Sequence, residues 1–515
     1  MARLTVLDGA TTIGGTKLLF DAGDTRLLFD FGLSYATMGA YFEEFLQPRT
    51  AAGLTDYLVT GLLPRLNLYR SDLTALLAQM QPALAGQLAD AGHIDACFVT
   101  HGHVDHTGSV SFLSETIPLY ATPVAGALLR AVEETQASPG PEDGITDFIL
   151  RPNLGQSNHG RRALLDLPAS VAFPDCRVTP FPVDHSIPGA CAYLVEWDGG
   201  SLVYTGDLRF HGRMGDRTRS SMEALAAAHP DNLIIEGTNL KSEGEMQEHS
   251  SAFRRGFTFW SEQDVEAAAL EEVQRASGLV MADFGMKDLD RLMTFQRVAR
   301  ATGRRLGILP RDAMLVRRAQ EAGYPTVDLE DPNLVLYIKR GGSGTYTKTD
   351  LRQDWIRSTL LRFAGSDPDV LDASDRRDAI QDLLHGACPR IVRAADVAAH
   401  QDEYLLSLGY WDIQELCDLQ PGAGSLYVHS SAEAFTEEMS WSQDRLARWL
   451  QLMSMDSGHI HASGHAPQQD LFRVVEQLAP ARLYPVHTEH AERYVERFGN
   501  LVTRLANGDT VNLIR

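Results

Sequence analysis

An α/β protein of two domains is what this chain of 515 residues predicts, on three observations. Short strands crowd its beginning, strands and amphipathic helices alternate after Glu236, and the strand-and-turn style of the beginning returns near the C-terminus. With 44% hydrophobic and 22% charged residues, the chain can bury at least one large core.

Taken in order, "LTVL", "TKLLF" and "RLLFDFG" read as strands, separated by "DGATTIGG" and "DAGD", whose Gly and Asp suit tight turns. "YFEEFL" and "SDLTALLAQM" read as helices within a long excursion, and "IDACFVT" as a buried strand. Strands recur in "RVTPFPVDH", in a hairpin turning at Asp198-Gly199-Gly200, and in "NLIIEG". Ser261 then caps a helix that has Glu262 and Asp264 in its first turn and Val265, Ala269 and Val273 on one face. "SGLVMADF", a helix carrying Leu289, Leu292 and Met293, "RRLGILP", another helix and "NLVLYIK" follow, a βαβα order that predicts a parallel sheet. "PRIVRAA" and "GSLYVHSS" add two strands. A helix carrying Leu471, Val474, Val475 and Leu478, then "ARLYPVH" and "TVNLIR", resume the first domain.

Composition narrows the partners. No signal-peptide core and no apolar run of membrane-spanning length occurs, so a cytoplasmic location away from membranes is expected. Five scattered cysteines without a C-x-x-C pair fit a reducing compartment. A net charge of −22 argues against non-specific nucleic-acid binding. Yet Lys287 to Arg318 holds nine Lys/Arg against three Asp/Glu, which reads either as a solvated helix face or as a basic wall facing an anionic substrate.

The chemistry is concentrated in "FVTHGHVDHTGS". In an extended loop His101 and His103 point the same way and can hold one ion, while Asp105 and His106 reach a second. Such a string is expected by chance in on the order of one chain in a thousand. Further ligands are needed, and His185, Asp207 and His487 each close a strand. A carboxylate at 207 can bridge two cations, as histidine cannot, and a bridged pair suits hydrolysis.

Together "THGHVDHTG", His185 and the "TGD" at Asp207 resemble the metallo-β-lactamase superfamily with its αββα sandwich, and Asp30 in "LLFDFG" matches its first motif. Within it the chain most resembles the β-CASP nucleases, particularly RNase J-like enzymes, through Glu236 in "LIIEGTN", His465 in "ASGHA" and His487 in "YPVH". The resemblance implies a metallo-β-lactamase domain in two parts, 1–238 and 430–515, around an inserted α/β β-CASP domain at 239–429. It implies two divalent metal ions, Zn²⁺ or Mn²⁺: His101, His103 and His185 on one, Asp105, His106 and His487 on the other, Asp207 bridging. Asp105, Glu236 and His465 are the implied catalytic residues. The implied reaction is phosphodiester hydrolysis by a dinuclear-metal hydroxide mechanism, leaving 5′-phosphate and 3′-hydroxyl ends.

RNA is the favoured substrate, single-stranded DNA stays open, and a homodimer is compatible. The rivals are a hydrolase of small thioesters or lactams, which needs no inserted domain of this size, and a non-catalytic β-CASP scaffold, which would lack ligands present here. The C-terminal domain typical of RNase J-like proteins is not expected 28 residues from the end. In "HSSAEAFTEEM", Ser430 and Ser431 suit a terminal phosphate, whereas Glu433, Glu437 and Glu438 would repel it, so endo- against 5′-exonuclease action stays open.

Overall fold

Residues Ala2, Leu4 and Val6 alternate with more exposed neighbours along the first strand, so one face of it must be covered. The cover is a second sheet. The computed structural model describes residues 2–43, 45–136, 144–150, 159–241, 261–347, 350–351, 353–370, 373–386, 388–431 and 437–514. The chain divides into two compact units, 1–248 with 464–515, and 249–463.

In the first unit a seven-stranded sheet runs in the order Thr510–Asn512, Ala2–Asp8, Lys17–Ala22, Thr25–Phe31, Ala96–Phe98, Leu119–Ala121, Leu164–Asp166. A six-stranded sheet runs Arg482–Pro485, Asn232–Ile235, Gly200–Tyr204, Cys191–Trp197, Cys176–Pro182, Val171–Ala172. Their facing sides share one core, with Val6, Phe20, Phe29 and Phe98 from one sheet against Val178, Tyr193, Tyr204 and Ile234 from the other. Outside the first sheet, Leu58, Leu73, Leu77 and Leu129 of three helices pack on Leu28, Cys97 and Leu119. Outside the second, Met222 and Leu225 of helix Gly215–Ala227 and Leu471, Val474, Val475 and Leu478 of helix Gln468–Leu478 cover Leu194, Val203 and Leu233. Each such side chain contributes about 1.5–3 kcal/mol on burial. The layers are therefore helix, sheet, sheet, helix: an αββα sandwich.

The second unit is a seven-stranded sheet, ordered Ile391–Val392, Leu334–Tyr337, Arg305–Ile308, Tyr404–Ser407, Val280–Asp283, Leu426–His429, Asp456–His459, with every pairing parallel. Helix Glu262–Arg275 begins with the expected Ser261 cap, completed into a capping box by Asp264.

Three expectations change. The helix expected over "YFEEFL" lies earlier, at Tyr35–Tyr41, where Ser34 supplies its cap and Phe42 ends it. Strand Tyr404–Ser407 was not expected and sits in the middle of its sheet. The unit boundary expected after 429 falls after 463, because Asp456–His459 pairs with Leu426–His429 and so extends the second unit's sheet. Among the described residues, no helix is long and apolar enough to cross a membrane.

Candidate metal centre

Strand ends gather the histidines and carboxylates. His101, His103, Asp105 and His106 follow Ala96–Phe98, with Val104–Thr107 forming one helical turn. His185 follows Cys176–Pro182, Asp207 follows Gly200–Tyr204, Glu236 follows Asn232–Ile235, and His487 follows Arg482–Pro485. His465 precedes helix Gln468–Leu478. All nine belong to the first unit.

Among the described residues three groups each have ligand atoms within 4.8 Å of one another: His101, His103, His185 and Asp207; Asp105, His106 and His487; and Asp207, Glu236 and His465, the first and third sharing Asp207. Nε2 of His101 and Nε2 of His185 each lie 3.0 Å from Nδ1 of His103. Oδ2 of Asp207 is 3.0 Å from Nε2 of His106, 3.5 Å from that of His101 and 3.8 Å from that of His487. Nε2 of His487 is 3.2 Å from Oδ2 of Asp105.

Outer contacts set the tautomers. His185 donates from Nδ1 to the Gly464 carbonyl at 2.6 Å, which leaves Nε2 as a lone pair toward the cluster. His106 donates from Nδ1 to Oδ2 of Asp30 at 2.8 Å. Asp30 is itself held by the Thr100 backbone N–H and hydroxyl, both at 2.8 Å, and by the Tyr204 hydroxyl at 2.7 Å. Thr238 Oγ1 meets Nδ1 of His487 at 2.8 Å. Thr100, Tyr204, Thr238 and Gly464 carry no chemistry of their own in sequence, and only the fold brings them to the histidines.

The backbone is strained here. Asp30 at φ +54° and His487 at φ +53° are non-glycine residues in the left-handed region, a conformation costing about 1–2 kcal/mol each. Glycine is required beside Asp105. A Cβ on Gly32 would lie 1.6 Å from the Asp105 carbonyl oxygen, and one on Gly14 (φ +78°) would lie 2.7 Å from Asp105 Cβ.

Two observations test whether the donor set fits a cation. Neither carboxylate oxygen of Asp207 nor Nε2 of His106 has a hydrogen-bonding partner among the described residues, although all three are buried. With Nδ1 of His106 committed to Asp30, Nε2 faces Oδ2 of Asp207 across 3.0 Å, a place for either the ring's second proton or a cation. A buried carboxylate is costly without a positive partner, and a cation between these atoms would supply one. The second observation is protonation. Burial pushes His101 and His185 well below the ordinary histidine value, and adjacent imidazoles lower them further, so both are neutral and able to ligate. For His106 burial acts the same way, but the charges of Asp207 and Asp30 outweigh it and raise the ring, so a cation competes with that proton. Imidazole nitrogen and carboxylate oxygen together suit a borderline divalent metal.

Glu236 and His465 form a pair at the rim. Glu236 accepts from the Leu208 backbone N–H at 3.0 Å, and its other oxygen is 3.0 Å from Nδ1 of His465. Burial opposes charge on His465, yet Glu236 and Asp207 outweigh it and push the imidazole up to about 9. Asn239 fixes the loop by donating to the His465 carbonyl at 2.8 Å.

Five of the nine cations read as a basic wall are engaged with local partners. Arg291 is fully buried, paired with Glu262 at 2.9 Å and donating to the Ser430 carbonyl and hydroxyl at 2.6 Å. Arg304 donates to the carbonyls of Gly278 at 2.8 Å and Ala276 at 2.6 Å. Arg297, Arg300 and Arg318 are paired with Glu266, Asp331 and Glu321. Helix Leu289–Ala301 is buried around most of its circumference, so its cations are spent on local partners. Ser430 is likewise occupied by Arg291 and the Ile460 carbonyl. Glu433 lies outside the described residues, as do the side chains of Glu437 and Glu438.

Known proteins bear on this geometry. Residues 69–277 match the model of a beta-lactamase superfamily domain, and residues 455–501 that of a Zn-dependent metallo-hydrolase RNA specificity domain. Ribonuclease J 1 of Streptococcus pyogenes is 23% identical over 407 residues, 77% of this chain and 58% of that protein. Ribonuclease J2 of Bacillus subtilis is 24% identical over 417 residues, 79% of this chain and 61% of that protein. The chain thus spans less than two thirds of the length of these relatives. A crystal structure of a protein of unknown function from Enterococcus faecalis superposes with a TM-score of 0.66 at 19% identity, covering 99% of both chains.

Proposed function

Because the chain belongs to the metallo-β-lactamase superfamily, we propose that it is a metal-dependent ribonuclease that hydrolyses phosphodiester bonds to 5′-phosphate and 3′-hydroxyl ends. One observation carries the reading: Asp207 is buried, its Oδ2 lies 3.0 Å from Nε2 of His106, and it stands within reach of two groups of histidines and of the Glu236–His465 pair. His101, His103 and His185 would hold one divalent cation, and Asp105, His106 and His487 a second, with Asp207 shared. Bound Zn²⁺ or Mn²⁺ supplies Lewis acidity to the scissile phosphate and makes water a nucleophile at neutral pH.

The chain's own groups do the rest. Asp30 and the Gly464 carbonyl hold His106 and His185 in the ligating tautomer. His465, oriented by Glu236, hands a proton to the leaving 3′ oxygen. RNA as substrate is supported by the RNA specificity domain match and by the ribonuclease J relatives.

The test is a cleavage panel of end-labelled RNA, single-stranded DNA and duplex DNA of one sequence, with 5′-phosphate or 5′-hydroxyl, under Mn²⁺ and Zn²⁺. RNA cleaved to 3′-hydroxyl products supports the proposal. Turnover of a thioester or lactam with RNA left intact overturns it.

A further inference from the structure

Among the described residues of the second unit the sheet ends at strand Asp456–His459, which pairs with Leu426–His429 on one side. Beside its other edge runs helix Glu262–Arg275, and the two enclose a groove of about 770 Å³. Its helical wall is Asp264, Ala267, Ala268, Glu271 and Arg275, and its strand wall runs from Asp456 to Ile460. The small side chains at 267 and 268 keep the helix from filling it.

The strand presents backbone to this groove. The N–H of Asp456 goes to the Ser425 carbonyl at 3.0 Å, and that of Ile460 to the His429 carbonyl at 2.9 Å. In a parallel ladder successive residues address opposite sides, so Ser457 turns its N–H and C=O toward the groove. Gly458 leaves the wall open: a Cβ there would meet nothing within 4 Å. Among the described residues no further strand pairs with this edge, and such an edge is a template for one.

Charge selects the occupant. Asp264, Glu271, Glu272 and Asp456 line the groove against the single Arg275, which already contacts Glu271 and is bonded to Glu272 at 2.9 Å. Nucleic acid is repelled by such a surface. We propose that this groove binds an extended, Lys/Arg-bearing segment of a partner protein, which adds as an eighth strand beside Asp456–His459. Main-chain hydrogen bonds would hold the segment, and the acidic residues would choose its side chains.

A random octapeptide library displayed on phage tests this when panned in parallel on the full-length protein and on two variants that fill the groove from opposite walls, Gly458→Trp and Ala267→Trp. Thermal melting and far-UV circular dichroism establish that both variants fold. The expected result is enrichment of peptides alternating Lys or Arg with β-branched residues. Synthetic copies of these should bind the wild type at least tenfold more tightly than either variant, and N-methylation of alternate peptide nitrogens should remove binding. Enrichment that survives both substitutions, selection of acidic peptides, or no enrichment overturns the proposal. So does a dimer in sedimentation that Gly458→Trp dissociates, because the occupant is then a second copy.

Discussion

Each unit buries charge-bearing side chains, but Arg291 in the second and Asp207 in the first are treated differently. In the second unit Arg291 is saturated: Glu262 takes two of its nitrogens, and Ser430 takes a third through both its carbonyl and its hydroxyl. In the first unit Asp207 is equally buried, yet its two oxygens have no hydrogen-bonding partner among the described residues. Saturation makes Arg291 a group that serves the fold, whereas the deficit at Asp207, set among histidines, fits a carboxylate that would meet a cation. The contrast separates Arg291 and Arg304, whose donors are taken up by the fold, from Asp207 and the histidines around it, a set that could hold a metal.

The contrast can be broken at several points. Asp105→Ala should lower RNA cleavage at least about 10³-fold and reduce bound metal while the circular dichroism spectrum stays native. Full activity in that variant would remove the site from the reaction. Arg291→Met should instead act on folding, costing about 3–5 kcal/mol in denaturant unfolding because Glu262 is left buried and unpaired. Adding Glu262→Met should recover much of that loss; no recovery would mean the pair is not a closed unit.

Smaller effects sharpen the picture. Asp30→Asn leaves every proposed ligand in place but loosens His106, so metal affinity, read by competition with a chelating dye, should fall about 10–100-fold. Asp312 lies between the two extremes, buried with one backbone donor, from Leu309 at 3.1 Å. Burial pushes it from 3.8 up to about 6. The folded state therefore keeps this proton where the unfolded chain has released it, and its contribution to stability falls as pH rises from about 4 to about 6. Asp312→Asn should flatten that decline by about 1–3 kcal/mol, and an unchanged pH profile of unfolding would contradict the assignment.

How far the sequence could be read follows from the range of the interactions involved. His101 to His106 announce themselves because ligands of one cluster lie within six positions. The helix from Ser261 and the apolar stripe of Gln468–Leu478 are equally local signals, and both are where periodicity places them. Strand Tyr404–Ser407 escaped because four residues after an acidic stretch give too short a pattern, although the fold buries three of them at the centre of a sheet. Arg291 and Arg304 misled because charge normally means solvent, and their partners at Glu262, Ser430 and Gly278 meet them only in the folded unit. The contact of His185 with Gly464 spans 279 positions, and no spacing rule reaches that far.

The most direct test of the central claim is to measure metal content and RNA cleavage on one sample, before chelation, after it, and after adding back Mn²⁺ or Zn²⁺. Both should fall together and return together, and Asp207→Ala should recover neither while remaining folded. Cleavage that continues at full rate in the chelated protein would contradict the assignment of this cluster as the hydrolytic centre.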